Sequence, residues 1–192
     1  MKYKINEIFY SIQGEGANVG LPAIFIRFAN CNLECSFCDT EFLTYTEMTK
    51  EEIQQECYKY ETSFIILTGG EPCLQIDEAL LEVLKGSLFQ IYLETNGTID
   101  ISEIDYYFNW ITVSPKIDSE IKINRVNEVK VVYEGDKTDS FLGELRRRFK
   151  SKTNLFYLQP CSMKNIKETI QKVKENPEWR LSIQIQKLID IK

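Results

Sequence analysis

Phe64-Ile65-Ile66-Leu67-Thr68-Gly69-Gly70-Glu71-Pro72 is the stretch whose reading decides the fold. A short apolar run that ends in two glycines, a carboxylate and a proline reads as a buried strand stopped by a tight loop. Leu80, Leu81 and Leu84 then recur at helical spacing over residues 76–85. The same order stands upstream: Pro22-Ala23-Ile24-Phe25-Ile26-Arg27-Phe28-Ala29 alternates as a buried strand, a cysteine-rich loop follows, and Thr49-Lys50-Glu51-Glu52 makes a capping box. That box predicts an amphipathic helix over residues 50–61 with Ile53, Cys57 and Tyr60 inward. Downstream, strands are predicted at residues 90–97, 109–116, 128–133 and 154–160. A helix over residues 138–150 carries Phe141, Leu142, Leu145 and Phe149 on one face, and another, capped by Ser162, turns Met163, Ile166, Ile170 and Val173 inward and stops before Pro177.

Six strands alternating with helices define an α/β chain whose parallel sheet curls into an incomplete (β/α)6-type barrel with reduced helices. A closed eightfold barrel takes about 250 residues, and this chain has 192. With no linker to divide it, residues 1–192 are expected to form a single domain. The polar clusters Gly69-Gly70-Glu71, Glu94-Thr95-Asn96, Ser114-Pro115-Lys116 and Gln159-Pro160 all fall at C-terminal strand ends, where parallel sheets place their sites.

The net charge of −6 argues against a nucleic-acid or anionic-membrane surface, and the basic run Arg146-Arg147-Arg148-Phe149-Lys150 reads as a helix end that complements the helix dipole. Residues 1–7 lack the apolar core of a signal peptide and no stretch is long enough to span a membrane, so a cytoplasmic location is expected. Six cysteines without a secretory signal then point to reduced thiols or metal ligation rather than to disulfides.

Three of those cysteines lie in one loop, Cys31-Asn32-Leu33-Glu34-Cys35-Ser36-Phe37-Cys38. Three thiolates on a four-iron, four-sulfur cluster leave one iron without a protein ligand, and an open iron is reactive. The alternative is a structural zinc site in a binding module, which needs a fourth Cys or His. The chain has no His, and Cys57, Cys73 and Cys161 stand singly, Cys57 and Cys73 at positions that read as buried. Arg27 is a lone charge on an apolar strand. It needs a carboxylate or phosphate to grip, either from a ligand or from the protein itself. Lys130 likewise interrupts an apolar run. The Gly-Gly pair is not followed by a phosphate-loop lysine, and its backbone edge suits a zwitterion.

The C-x3-C-x2-C spacing is that of the radical S-adenosylmethionine (SAM) enzymes. Together with Ser11-Ile12-Gln13-Gly14-Glu15-Gly16, Cys38-Asp39-Thr40, Thr68-Gly69-Gly70-Glu71-Pro72, Glu94-Thr95-Asn96-Gly97, Ser114-Pro115-Lys116, Gln159-Pro160 and Trp179-Arg180-Leu181-Ser182, it makes the chain resemble, almost end to end, the 7-carboxy-7-deazaguanine synthase family. The resemblance implies a radical SAM barrel and a carbon–nitrogen lyase of the queuosine and 7-deazapurine pathway. Such an enzyme contracts 6-carboxy-5,6,7,8-tetrahydropterin to 7-carboxy-7-deazaguanine with loss of ammonia, using a [4Fe-4S] cluster, SAM and Mg2+. The methionine of SAM would chelate the open iron, and electron transfer would yield a 5'-deoxyadenosyl radical that takes the hydrogen from the carboxylate-bearing carbon.

By the same resemblance Cys31, Cys35 and Cys38 hold the cluster and Thr40 the Mg2+. Phe37, Cys38, Asp39, Gly70, Glu71, Glu94, Ser114, Pro115, Lys116, Gln159, Pro160, Cys161 and Ser162 line the SAM site. Ile12, Gln13, Gly14, Glu15, Arg27, Thr68, Gln186 and Lys192 meet the substrate, and no side chain serves as acid or base. A homodimer and an electron donor such as flavodoxin or ferredoxin are implied as partners. The chain departs from the family at Gln184-Ile185-Gln186-Lys187, where members usually read Gln-x-His-Lys. Among enzymes, a glycyl-radical activating enzyme shares the cysteine loop but acts on a protein, whereas Gln13 to Gly16 favour a small substrate.

Overall fold

A computed structural model describes residues 1–38, 41 and 43–192. Its strands form one sheet in the order β3-β1-β2-β4-β5-β6-β7-β8-β9. The six strands expected from the apolar runs are β2 (Pro22–Phe28), β4 (Phe64–Gly69), β5 (Gln90–Thr95), β6 (Trp110–Val113), β7 (Glu128–Tyr133) and β8 (Phe156–Pro160), and each is parallel to its neighbour. Their runs are continuous because both faces are covered: every residue of β8 is buried, and all but Val132 of β7. The sheet ends at β3 and β9 without closing, as the length requires.

Three further strands extend it. The apolar and aromatic segment at the N-terminus is β1 (Tyr3–Ile12), antiparallel both to β2 and to the three-residue β3 (Thr46–Met48). At the far edge β9 (Arg180–Leu181) adds to β8 in parallel. The strict alternation with helices is corrected at two crossovers. Helices α1 (Lys50–Cys57), α2 (Glu78–Gly86), α3 (Asp136–Phe149) and α4 (Ile166–Glu175) link strands, but residues 96–109 hold only a 3-10 turn at Asp105–Tyr107 and residues 114–127 hold no helix. Guanidinium groups satisfy the backbone there: Arg125 donates to the carbonyls of Asp105 and Phe108, and Arg148 Nη2 to that of Ile121 at 2.7 Å. Arg146 lies 4.5 Å from the Phe156 ring centre, so the basic run is a packed helix end.

Two helix boundaries also differ. The capping box at Thr49 is formed, but α1 ends at Cys57, with Tyr58 as its C-cap. Ser162 caps nothing. It and Met163 have φ of 47° and 61°, and α4 starts after Asn165, whose side chain accepts from Cys161 N at 2.7 Å and donates to Tyr133 O at 2.8 Å. Its buried residue is Thr169, whereas Ile170 is exposed. A final short helix, α5 (Ile185–Leu188), follows β9, and among the described residues no helix is long and apolar enough to cross a membrane.

Candidate active site

The C-terminal ends of β2, β4, β5, β6, β7 and β8 surround two adjoining cavities, of 180 and 710 Å³, that share Thr68, Glu94, Ser114, Gln159 and Gln184 as walls. Cys31, Cys35 and Cys38 line the smaller one, and no cysteine is paired in a disulfide. Their loop leaves β2 through Asn30, at φ 70°, and lies tight against β4: a Cβ on Gly70 would stand 2.1 Å from Asn30 O and 3.0 Å from Cys31 Cβ. Burial raises the thiols of Cys31 and Cys35, and Lys116 works against this at both. Lys116 itself donates to Ser114 O at 2.7 Å and Ser114 Oγ at 2.8 Å, and burial lowers its pKa.

The donor set fits an iron–sulfur cluster better than zinc. A zinc site wants a fourth Cys or His, whereas Cys31, Cys35 and Cys38 are the cysteines that line this cavity among the described residues and the sequence has no His. A four-iron cluster takes one thiolate at each of its separate corners.

Phe37, Cys38, Gly70, Glu94, Ser114, Lys116, Gln159, Pro160 and Ser162 all line the smaller cavity. Pro115 and Cys161 line neither cavity. Glu71 is fully buried with its carboxylate turned inward, accepting from Cys73 N, Thr95 Oγ1 and Asn96 N at 3.0, 2.8 and 2.7 Å. Asp39 and Thr40 lie outside the described residues.

Ile12, Gln13, Gly14, Glu15, Arg27, Thr68, Gln186 and Lys192 all line the larger cavity. Glu94 stands between the two, accepting from Gln13 Nε2 at 2.7 Å. Lys130, buried on β7, reaches Glu15 at 2.6 Å and Glu94 at 2.9 Å. Burial works against the charge on both members of the Glu15–Lys130 pair, but their mutual attraction wins, holding the Glu15 carboxyl low and the Lys130 ammonium high. Gln184 and Gln186 each donate Nε2 to Glu15 Oε1, at 2.8 and 3.0 Å, and both side-chain carbonyl oxygens are buried without a hydrogen-bond donor among the described residues. Gly14 lets the C-terminal segment come close, because a Cβ there would stand 1.8 Å from Gln186 Oε1 and 2.9 Å from the backbone Gln186 N. At the mouth Arg27 Nε meets Glu7 Oε1 at 2.9 Å over the Phe9 ring, and Lys192 binds the other oxygen of Glu7.

Lys130, Gln184 and Glu7 were not singled out from sequence as site residues. For Lys130 the signal was present, since a charge inside an apolar strand is the argument already applied to Arg27.

Known proteins place this geometry. The Radical SAM superfamily matches residues 25–176. A 7-carboxy-7-deazaguanine synthase of Bacteroides thetaiotaomicron is 49% identical over 192 residues, covering 100% of both chains, and one of Burkholderia multivorans is 36% identical over 217 residues, again covering 100% of both. The chain belongs to the 7-carboxy-7-deazaguanine synthase family. The crystal structure of QueE from Escherichia coli, at 28% identity, superposes with a TM-score of 0.80 over 96% of this chain and 94% of that one. Membership in the 7-carboxy-7-deazaguanine synthase family sets aside both the zinc-stapled module and the glycyl-radical activating enzyme, and makes the chain a radical SAM lyase that uses a [4Fe-4S] cluster, SAM and Mg2+.

Proposed function

We propose that this chain, as one domain, contracts 6-carboxy-5,6,7,8-tetrahydropterin to 7-carboxy-7-deazaguanine with loss of ammonia, the two cavities dividing the work. The observation that carries this reading is the polar array of Gln13, Glu15 and Glu94, with Lys130 holding both carboxylates, in a cavity that adjoins the cysteine-lined one. Carboxylates accept, and the amide and amino N–H groups of a pterin edge donate to such acceptors.

When bound, the cluster and SAM supply a 5'-deoxyadenosyl radical. Cys31, Cys35 and Cys38 would hold the cluster, and the Gly70 backbone with Ser114 and Lys116 would hold the SAM. Arg27 stands at the mouth of the larger cavity to take the substrate carboxylate, with Thr68 beside it in register on β4. Glu7, which it meets now, keeps Lys192 as a partner. Glu15 and Glu94, held by Lys130, fix the far edge of the ring. Mg2+ is assigned to Thr40; a neutral hydroxyl is a weak ligand, so the substrate carboxylate and water would complete the octahedron, making metal and substrate binding interdependent. The protein is further proposed to work in the cytoplasm as a homodimer, reduced by a flavodoxin or ferredoxin, without nucleic acid or membrane.

Anaerobic reconstitution with iron and sulfide, followed by incubation with SAM, Mg2+, a reductant and the carboxytetrahydropterin, tests the assignment. The deazaguanine should form over many turnovers per SAM, because loss of ammonia is redox-neutral and the hydrogen taken from the substrate has to be given back. Reconstituted protein that makes deoxyadenosine but never the deazaguanine would overturn it.

A further inference from the structure

Between β2 and β3 the described part of the cysteine loop has no regular structure, so a few contacts decide where its thiols stand. Backbone bonds tether its start: Gly70 N donates to Phe28 O at 3.1 Å and Glu71 N to Asn30 O at 2.9 Å. At its far end Asn6 Nδ2 donates to Thr44 O at 2.8 Å, and between the two ends the amide of Asn32 ties the loop to the end of β5. Asn32 Oδ1 accepts from Asn96 Nδ2 at 3.1 Å, and Asn32 Nδ2 donates to Thr98 Oγ1 at 2.8 Å.

The polarity of this chain of bonds follows from one backbone group. Thr98 N can only donate, and it does so to Asn96 Oδ1 at 2.9 Å. Asn96 Nδ2 must therefore donate, the atom facing it on Asn32 must be the carbonyl oxygen, and the Asn32 amino group is left for Thr98 Oγ1. That hydroxyl spends its own proton on Asn96 Oδ1 at 2.7 Å. Asn96 is anchored in turn by its N–H on Glu71 Oε2 at 2.7 Å, and Glu71 N returns to the loop at Asn30. The bonds close a ring through the cysteine loop, the end of β4 and the end of β5. Asn96, on that ring, and Gly70, next to Glu71, also wall the cysteine-lined cavity.

We infer that Asn32, Asn96 and Thr98 are positioning residues that set the cysteine loop, and with it the cluster, at a fixed distance from the strand ends that receive SAM. The inference rests on the proposed cofactor site. It gives Glu71 a part within the protein, as the carboxylate on which the clamp turns.

Asn32→Ala removes both bonds of the loop. Thr98→Val removes the acceptor while keeping the shape, and Thr98→Ser restores it. In reconstituted enzyme, Asn32→Ala and Thr98→Val should raise KM for SAM roughly tenfold, the scale of one lost hydrogen bond. They should also weaken the change that SAM produces in the electron paramagnetic resonance spectrum of the reduced cluster, while Thr98→Ser behaves as the parent. Parent-like KM and spectra in both variants would overturn the inference. Should Asn32→Ala take up no iron, amide exchange of the metal-free chains decides: faster exchange confined to residues 30–38 supports the clamp, and parent-like exchange there overturns it. A parent that itself binds no iron and sulfide would defeat the cofactor assignment, and the same amide-exchange comparison would still judge the clamp.

Discussion

Arg27 already has a protein partner, and that shapes what a ligand must do there. Both readings of the lone charge meet at one place, since the guanidinium pairs with Glu7 while lining the larger cavity. Arg27→Lys keeps the charge and loses the planar fork, so substrate affinity measured by titration calorimetry should fall by about 1–3 kcal/mol. Unchanged affinity with a lower melting temperature would make Arg27 a structural ion pair alone. Gln186 gives a second test. It stands where the family usually has His, and its amide donates to Glu15. A Gln never titrates, so the activity of this chain should lack an ionisation near pH ~6.5 arising from this position, and Gln186→His should add one to the pH profile of KM. A variant profile without a new limb would place residue 186 outside substrate recognition. Lys130 shows how far such reading goes: a lone charge on a core strand announces that a partner exists, but Glu15 and Glu94 are distant in sequence and only the fold names them.

Among the elements, β7 carries Lys130 into the wall of the larger cavity. Glu128 and Lys130 lie two residues apart on it, and both hold the segment after Ile12: Lys130 through Glu15, and Glu128 by accepting from Ala17 N at 2.8 Å. Gly16, at φ 68°, leaves the room this needs, because a Cβ there would stand 2.0 Å from Glu128 Oε1. Burial, with a smaller contribution from Glu94 and Glu15 and against Lys130 and the Ala17 N–H, raises the Glu128 carboxyl to about 7. From about pH 4.5 to about 7 the folded chain keeps a proton that the unfolded chain has lost, so this group makes stability fall as pH rises through that window. Glu128→Gln removes the slope. The difference in melting temperature between variant and parent should shift in the variant's favour from about pH 5 to about pH 8, and a difference independent of pH would contradict the assignment. The parallel strands were legible because most of their residues are buried and their apolar character shows through the single charges Arg27 and Lys130. In β1, Lys4, Asn6 and Glu7 interrupt the pattern and the pairing is antiparallel, while β9 is two residues long and carries no pattern at all. The helix starts after Asn165 rather than at Ser162 because the Asn165 side chain is committed to Cys161 N and to Tyr133 O, and the second contact exists only once β7 and β8 are side by side.

At the scale of the whole molecule, an open sheet places a thiol-lined cavity against a larger polar one, with Thr68, Glu94, Ser114, Gln159 and Gln184 shared between them. The thiols divide accordingly. Cys38→Ala should abolish both colour and deoxyadenosine formation, whereas Cys57→Ala, in the core, should lower the melting temperature and leave iron content unchanged. Full activity in Cys38→Ala would remove the cluster from the account. The central claim is that a radical made in the smaller cavity acts on a pterin held in the larger. Repeated turnover with substrate deuterated at the carboxylate-bearing carbon tests it most directly. Deuterium should enter the 5' carbon of the recovered SAM, since the hydrogen taken is given back from that carbon, and product formed with no deuterium in SAM or in any deoxyadenosine would contradict it.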